Sequence, residues 1–314
     1  MRVDTDFEWE EFGNQVTQEI GSTMKAAILL TCFNRKEKTL SCLKSIYTQS
    51  KLEDIALKAY LVDDASKDGT ASAVAAEFPE VCILNGDGTL YWNGGMNMAW
   101  NAAVKEGFDY YIWINDDVTL SPDAFKIMFE SYRLGQVESG ADPVIVGCFS
   151  WPDSGDYAYG GYHVKISTWG IRTKRTLPEG KIKRCDTFNG NFVLIPNSVV
   201  KKVGMLDPQY THAIGDSDYG YRCMKKNIPM FITPGYIGEC ERNKVEGLWF
   251  SPSITLTERY KKLMLPTGLP PREYFHFYKK NCNSFAGGIA LLKIYLRLLF
   301  PKLWLRFSRS KSLL

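Results

Sequence analysis

Apolar runs separated by polar breaks organise the first 120 residues of the chain. Lys25–Thr31 (KAAILLT) is apolar without alternation, which suits a strand buried on both faces. After the polar stretch Cys32–Lys38, the spacing of Leu40, Leu43 and Ile46 predicts a helix over Thr39–Gln49. Ala56–Val62 (ALKAYLV) reads as a second strand. It runs into Asp63-Asp64-Ala65-Ser66-Lys67-Asp68-Gly69-Thr70, a cluster of turn and cap residues, and a helix follows through Glu77. Val81–Leu84 is a third strand, Asn85–Gly95 a Gly/Asn-rich loop and Met96–Glu106 a helix. Tyr110–Ile114 (YYIWI) is a fourth strand, stopped by Asn115-Asp116-Asp117.

This alternation predicts an α/β fold with a mostly parallel central sheet and helices on both faces. In such sheets ligands sit outside the carboxyl ends of the strands. The polar clusters Thr31–Asn34, Asp63–Asp68 and Asn115–Asp117 each follow a strand end, so they should converge on one crevice. The second half is less regular. Trp151–Arg184 is rich in Gly and Tyr with hairpin-like breaks, Phe192–Ile195 is a strand and Ser198–Val203 a short helix. The acidic cluster His212–Arg222 (HAIGDSDYGYR) opens a helix running to about Lys226.

Residues 286–307 are apolar but carry Lys293, Arg297, Lys302 and Arg306, paired four apart and therefore expected on one helical face. A spanning helix needs ~20 largely uncharged residues. With Pro301 also interrupting the run, an amphipathic helix in a membrane interface fits better, with Arg309 and Lys311 extending its basic face. A helix packed on the main domain, or an oligomer contact, is the alternative. The expected peripheral membrane contact runs over residues 286–311.

Composition narrows the classes. Hydrophobic residues make up 45% and charged residues 23% of the 314, which is globular rather than disordered. Lys+Arg 38 against Asp+Glu 35 gives +3, too balanced to announce a nucleic-acid partner. The eight cysteines include no CxxC pair, which argues against a structural zinc site and for reduced thiols in a cytoplasmic protein. The first twenty residues are acidic and polar, unlike a secretory signal.

The strings TCFNR, LVDDASKDGT, WINDDVTLSPD and GDSDYGYR, in this order and at these places, resemble the inverting glycosyltransferases of family 2, over roughly Lys25 to Cys240. The resemblance implies a Rossmann-like GT-A fold. It divides the chain into an N-terminal extension (1–23), a catalytic domain (24–245, with a nucleotide-binding half to 120 and an acceptor-binding half from 121) and a C-terminal helical region (246–314). It implies transfer from a UDP- or dTDP-sugar to a glycan or polyprenyl-linked acceptor, with a divalent cation, Mn2+ or Mg2+, at the inner face of the cell membrane. Thr31, Asn34 and Asp64 would contact the nucleotide, Asp64 accepting from a ring N–H. Asn93, Gly94 and Gly95 resemble the family's glycine-bearing segment and would contact the nucleotide-sugar, and Asn191 falls where the family places donor-sugar or acceptor contacts. Asn115, Asp116 and Asp117 occupy the family's Asp-x-Asp position, with Asp117 as cation ligand and Asp116 facing cation or ribose. Asp216 would be the base that deprotonates the acceptor, with Asp218 the second catalytic candidate.

The chain departs from the family pattern at Asn115 (usually Asp), Gly215 (usually Glu) and Trp100 (commonly Arg). No His occurs in Gly238-Glu239-Cys240-Glu241, where a further cation ligand is usual, and Glu239 is the substitute considered. Two alternatives accompany this reading: a carbohydrate-binding or nucleotide-sugar-binding scaffold without turnover, and a nucleotidyltransferase. The latter normally wants a glycine-rich phosphate loop that TCFNRKEKT lacks.

Overall fold

The computed structural model describes residues 23–50, 52, 54–241 and 248–308. Nearly all of the expected extension 1–23, and the basic residues Arg309 and Lys311, therefore lie outside the described residues. At the centre is β1 (Met24–Cys32), whose apolar run is buried on both sides. Ala26, Ile28 and Leu30 join one core cluster and Ala27 and Leu29 the other, as the two-residue period of a strand requires. β2 (Ile55–Asp63) and β4 (Tyr110–Ile114) pair with β1 in parallel, and β3 (Cys82–Asn85) pairs with β2 in parallel.

Beyond β4 the chain reverses. β12 (Phe192–Pro196) runs antiparallel to both β4 and β6 (Val144–Ser150), and β13 (Met230–Cys240) lies parallel to β6. The sheet order is β10-β13-β6-β12-β4-β1-β2-β3, with β5 (Val118–Leu120) on β13, β7 (Tyr157–Tyr159) on β6 and β10 (Lys183–Arg184) at the edge. Helices α1 (Lys36–Tyr47) and α4 (Ala124–Ser139) cover one face. α3 (Tyr91–Val104) and α6 (Gly215–Lys225) cover the other, around Trp100, Trp113 and Tyr219. The short helices α2 (Thr70–Glu77) and α5 (Asn197–Val203) complete the layers. A second sheet, β11 (Thr187–Phe188), β8 (Gly161–Ser167) and β9 (Gly170–Arg175), stands beside this frame.

The chain ends in α7 (Leu256–Met264), α8 (Pro271–Asn281), α9 (Ser284–Leu299) and α10 (Pro301–Ser308). Trp249, Phe250, Leu263, Ile294 and Leu298 form a core of their own there. Among the described residues no helix is long and apolar enough to cross a membrane. The expected single basic face does not form. Arg297 turns inward, its guanidinium 3.4 Å from the Phe250 ring centroid and 5.0 Å from that of Trp249.

One boundary moves with consequences for the site. The helix expected from Met96 starts at Tyr91, so Asn93-Gly94-Gly95 is its first turn rather than a loop. A Cβ on Gly95 would lie 2.1 Å from Thr31 Oγ1, so the glycine lets α3 close on the end of β1. Gly95→Ala is expected to cost about 1–3 kcal/mol by overpacking, read as a lowered denaturation midpoint at unchanged m-value.

Candidate functional site

Three strand ends meet at one edge of the sheet. The register sets Cys32 beside Asp63, and β4 delivers Asn115–Asp117 next to β1. Asp116, only 5% exposed, and Asp117 both turn toward a residue on the β1–α1 loop. Arg35 Nη1 donates to Asp116 Oδ1 at 3.1 Å and to Asp117 Oδ2 at 2.9 Å. Thr39 Oγ1 donates to the other oxygen of Asp116 at 3.3 Å. Burial pushes the Asp116 carboxyl up to about 6, against the pull of Arg35 and with a further push from Asp117.

One cationic nitrogen thus already sits between two carboxylates, so the donor set fits a single hard cation. Among the described residues no third His, Cys, Asp or Glu joins them. Water and phosphate oxygens would have to complete a shell, as is usual for Mg2+ at nucleotide sites. Asp117 also lines a cleft of ≈ 340 Å³ with Glu37, Lys38, Glu239 and Glu241, in which Lys38 is already paired with Glu241 at 2.8 Å.

Asn115 does not join the acids. Its Oδ1 accepts from Trp92 Nε1 at 2.8 Å and its backbone N–H donates to Asn191 O at 3.0 Å. Trp92 carries the connection onward: a Cβ on Gly190 would lie 2.9 Å from the Trp92 ring and 3.2 Å from Asp216 Cβ. The Gly190 N–H donates to Asp216 Oδ2 at 2.9 Å, and the Ser217 N–H to Oδ1 at 2.6 Å. Desolvation raises the Asp216 carboxyl above the usual carboxylate range, although these two N–H groups and its place at the start of α6 favour the charged form. His212 stands edge-on to Tyr91, and burial with the charge of Arg35 lowers its pKa.

Asp218, the second catalytic candidate, is held differently from Asp216. The carboxylate is fully buried and has no oxygen to spare. Oδ2 pairs with Arg222 Nε at 3.0 Å and Lys280 Nζ at 2.8 Å, while Oδ1 accepts from Tyr210 Oη at 3.2 Å and Asn281 Nδ2 at 3.1 Å. It joins α6 to α8. Asn93 is fully buried, and its Nδ2 donates to the carbonyls of Asp207 and Tyr210. Gly94 and Gly95 lie in the first turn of α3, facing Leu90 and Thr31. The Asn191 side chain is buried at 3.9 Å from Cys240 Sγ, so only its carbonyl, bonded to Asn115, serves the site.

On the nucleotide side, Asp64 is 3% exposed. Its oxygens accept from the Gly88 N–H at 2.8 Å and the Tyr91 N–H at 2.9 Å, so it shapes the loop leading into α3. Asn34 stitches two strand-end loops together: its Oδ1 accepts from Lys67 N at 2.7 Å and its N–H donates to Ser66 Oγ at 2.9 Å. Thr31 faces Gly95.

The sequence model of the family described as Glycosyl transferase family 2 matches residues 27–194, over half of the chain. The chain belongs to glycosyl transferase family 2. The nucleotidyltransferase alternative falls with that assignment. The fold is similar to that of S. aureus TarS residues 1–349 (TM-score 0.51, 12% identity, 92% of this chain and 74% of that one). The mannosyltransferase PcManGT from Pyrobaculum calidifontis, solved with GDP-Man and Mn2+, aligns with a TM-score of 0.49 at 15% identity, over 91% of this chain and 81% of its own. At such identities the likeness concerns the fold, a Rossmann-like GT-A α/β architecture. Among curated proteins no sequence matches.

For a family 2 glycosyltransferase, the residues that sequence reasoning passed over are Arg35, Trp92 as a strut and the Gly190 N–H. Arg35 stands in the TCFNR string, and its signal is a lone cation just past a buried strand whose neighbour ends in acids. Replacing Asp218 by Asn should lower stability by about 3–5 kcal/mol, because Lys280 and Arg222 lose their buried counter-charge. A denaturant titration beside Asp216→Asn should show the large loss only for the Asp218 variant.

Proposed function

We propose that this family 2 member transfers a sugar, with inversion, from a UDP- or dTDP-sugar to a hydroxyl of a glycan or polyprenyl-linked saccharide at the inner face of the cell membrane. The observation that carries the reading is Asp216, a half-buried carboxylate of raised pKa tied through Trp92 and Asn115 to the strand end that bears Asp116 and Asp117. In a single displacement the acceptor oxygen bonds to the anomeric carbon as the bond to the diphosphate breaks. The acceptor proton passes to Asp216. The Gly190 and Ser217 N–H groups fix that carboxylate's orientation, and its raised pKa brings it nearer to working pH. Asp116 and Asp117 would hold Mn2+ or Mg2+, and such a cation neutralises charge on the departing diphosphate. Arg35, once exchanged out of the acid pair, has the planar fork that suits phosphate oxygens. A pyrimidine donor rests on the place of Asp64 in the family motif alone, since in the structure its two oxygens accept from the Gly88 and Tyr91 N–H groups.

The Arg35 clamp on both acids favours one second reading, a nucleotide-sugar binder without turnover. The two readings part in an assay of nucleoside diphosphate release from UDP-, dTDP- and GDP-sugars with Mn2+ or Mg2+. Transfer chemistry predicts release from one donor, abolished by EDTA and by Asp117→Ala, and reduced ~10²–10⁴-fold by Asp216→Asn. Donor binding without release under any condition would sink the transferase reading and leave the binder. The base works deprotonated and its pKa is raised. The acid limb of kcat/KM should therefore fall off above the ordinary carboxylate range of about 4. Removing the internal counter-ion with Arg35→Ala should tighten Mn2+ binding to the donor-free protein by about tenfold, or ~1.4 kcal/mol, in a calorimetric titration.

A further inference from the structure

Helix α9 is apolar on both sides. Ala286, Ala290, Ile294 and Leu298 face the protein and are buried. On the opposite side Phe285, Leu292, Leu296, Leu299 and, in α10, Leu303 recur at intervals of 7, 4, 3 and 4 and form one exposed stripe, with Leu292 59% exposed. A helix apolar all round belongs in a core or a membrane. The stripe continues onto a different element. The β8–β9 hairpin turns at Thr168-Trp169, where small polar residues or Gly are favoured, yet Trp169 stands there 70% exposed. Its ring meets that of Phe285 at 5.4 Å between centroids.

Two donors from the α8–α9 link hold the tip in place: Cys282 Sγ to Ser167 O at 3.1 Å and Asn283 Nδ2 to Thr168 O at 3.3 Å. Asn283 is also the N-cap of α9, so hairpin tip and helix form one surface.

The rim of this surface has one sign of charge. Lys293, Lys302 and Arg306 on the helices and Lys165 and Arg172 on the hairpin are exposed. No acidic residue occurs from 274 to 314 or from 157 to 178. A second copy of the same face would set cation against cation. An anionic bilayer supplies both the apolar depth and the opposite charge, with an aromatic anchor where membrane-interface tryptophans sit. We propose that α9, α10 and the β8–β9 tip form a docking surface for an anionic phospholipid membrane, with Trp169, Leu292 and Leu296 entering the headgroup boundary.

Sedimentation of the full chain with vesicles tests this. Vesicles containing phosphatidylglycerol should bind at least about tenfold more protein than pure phosphatidylcholine, and high salt should reduce the difference. Leu292→Glu with Leu296→Glu should lower binding about tenfold or more, and Trp169→Ala several-fold. These side chains are exposed, so thermal midpoint and release from the soluble donor should stay unchanged, which separates this surface from the reaction. Equal binding by wild type and variants, or none to anionic vesicles, would overturn the proposal. So would a dimer in light scattering that the same substitutions dissolve, since a second copy would then cover the face.

Discussion

The N-terminal end of α6 depends on one buried carboxylate, that of Asp218. Asp218 is wholly desolvated and therefore needs every counter-charge and donor around it. Arg222, one helical turn on, answers it, and spends its two remaining nitrogens on the carbonyls of Val203 at 2.9 Å and Met205 at 2.7 Å. Lys280 and Asn281 answer from α8. The helix that presents Asp216 is thereby clamped from three directions. Its neighbour two positions earlier can remain half-buried, with only backbone donors and a lone pair left for another proton. The same local run of acids yields a strut and a candidate base because α8 reaches one and not the other.

A second balance governs the acid pair. Asp116 is desolvated enough to resist ionisation, and Asp117 beside it adds to that resistance. The Arg35 guanidinium opposes that resistance at Asp116. It approaches from the β1–α1 loop on a half-exposed side chain. Positive charge is therefore required between these residues whatever supplies it.

Much of the first half is legible in sequence because its signals are local. Buried runs such as YYIWI and KAAILLT can hardly be anything but central strands, and the strand-end rule brings their polar tails together. The remainder is set by partners distant in the chain. β6 is a buried run whose place between β12 and β13 comes from pairing alone. Asn93-Gly94-Gly95 carries the chemistry of a turn, yet it is helical because Gly95 permits contact with Thr31. Nothing in GDSDYGYR separates Asp216 from Asp218, since Lys280, which decides between them, lies 62 residues further on. Arg35 reaches Asp116 across 81 residues, a pairing no local pattern carries.

The packing of Trp92 and Asp216 around Gly190 bears on how this chain can drift over generations. A side chain at 190 would strike the indole and the carboxylate's own Cβ together. A smaller residue at 92 would release Asn115 from its hydrogen bond. Positions 92, 115 and 190 are therefore coupled, because a replacement at one alters the contacts of the next.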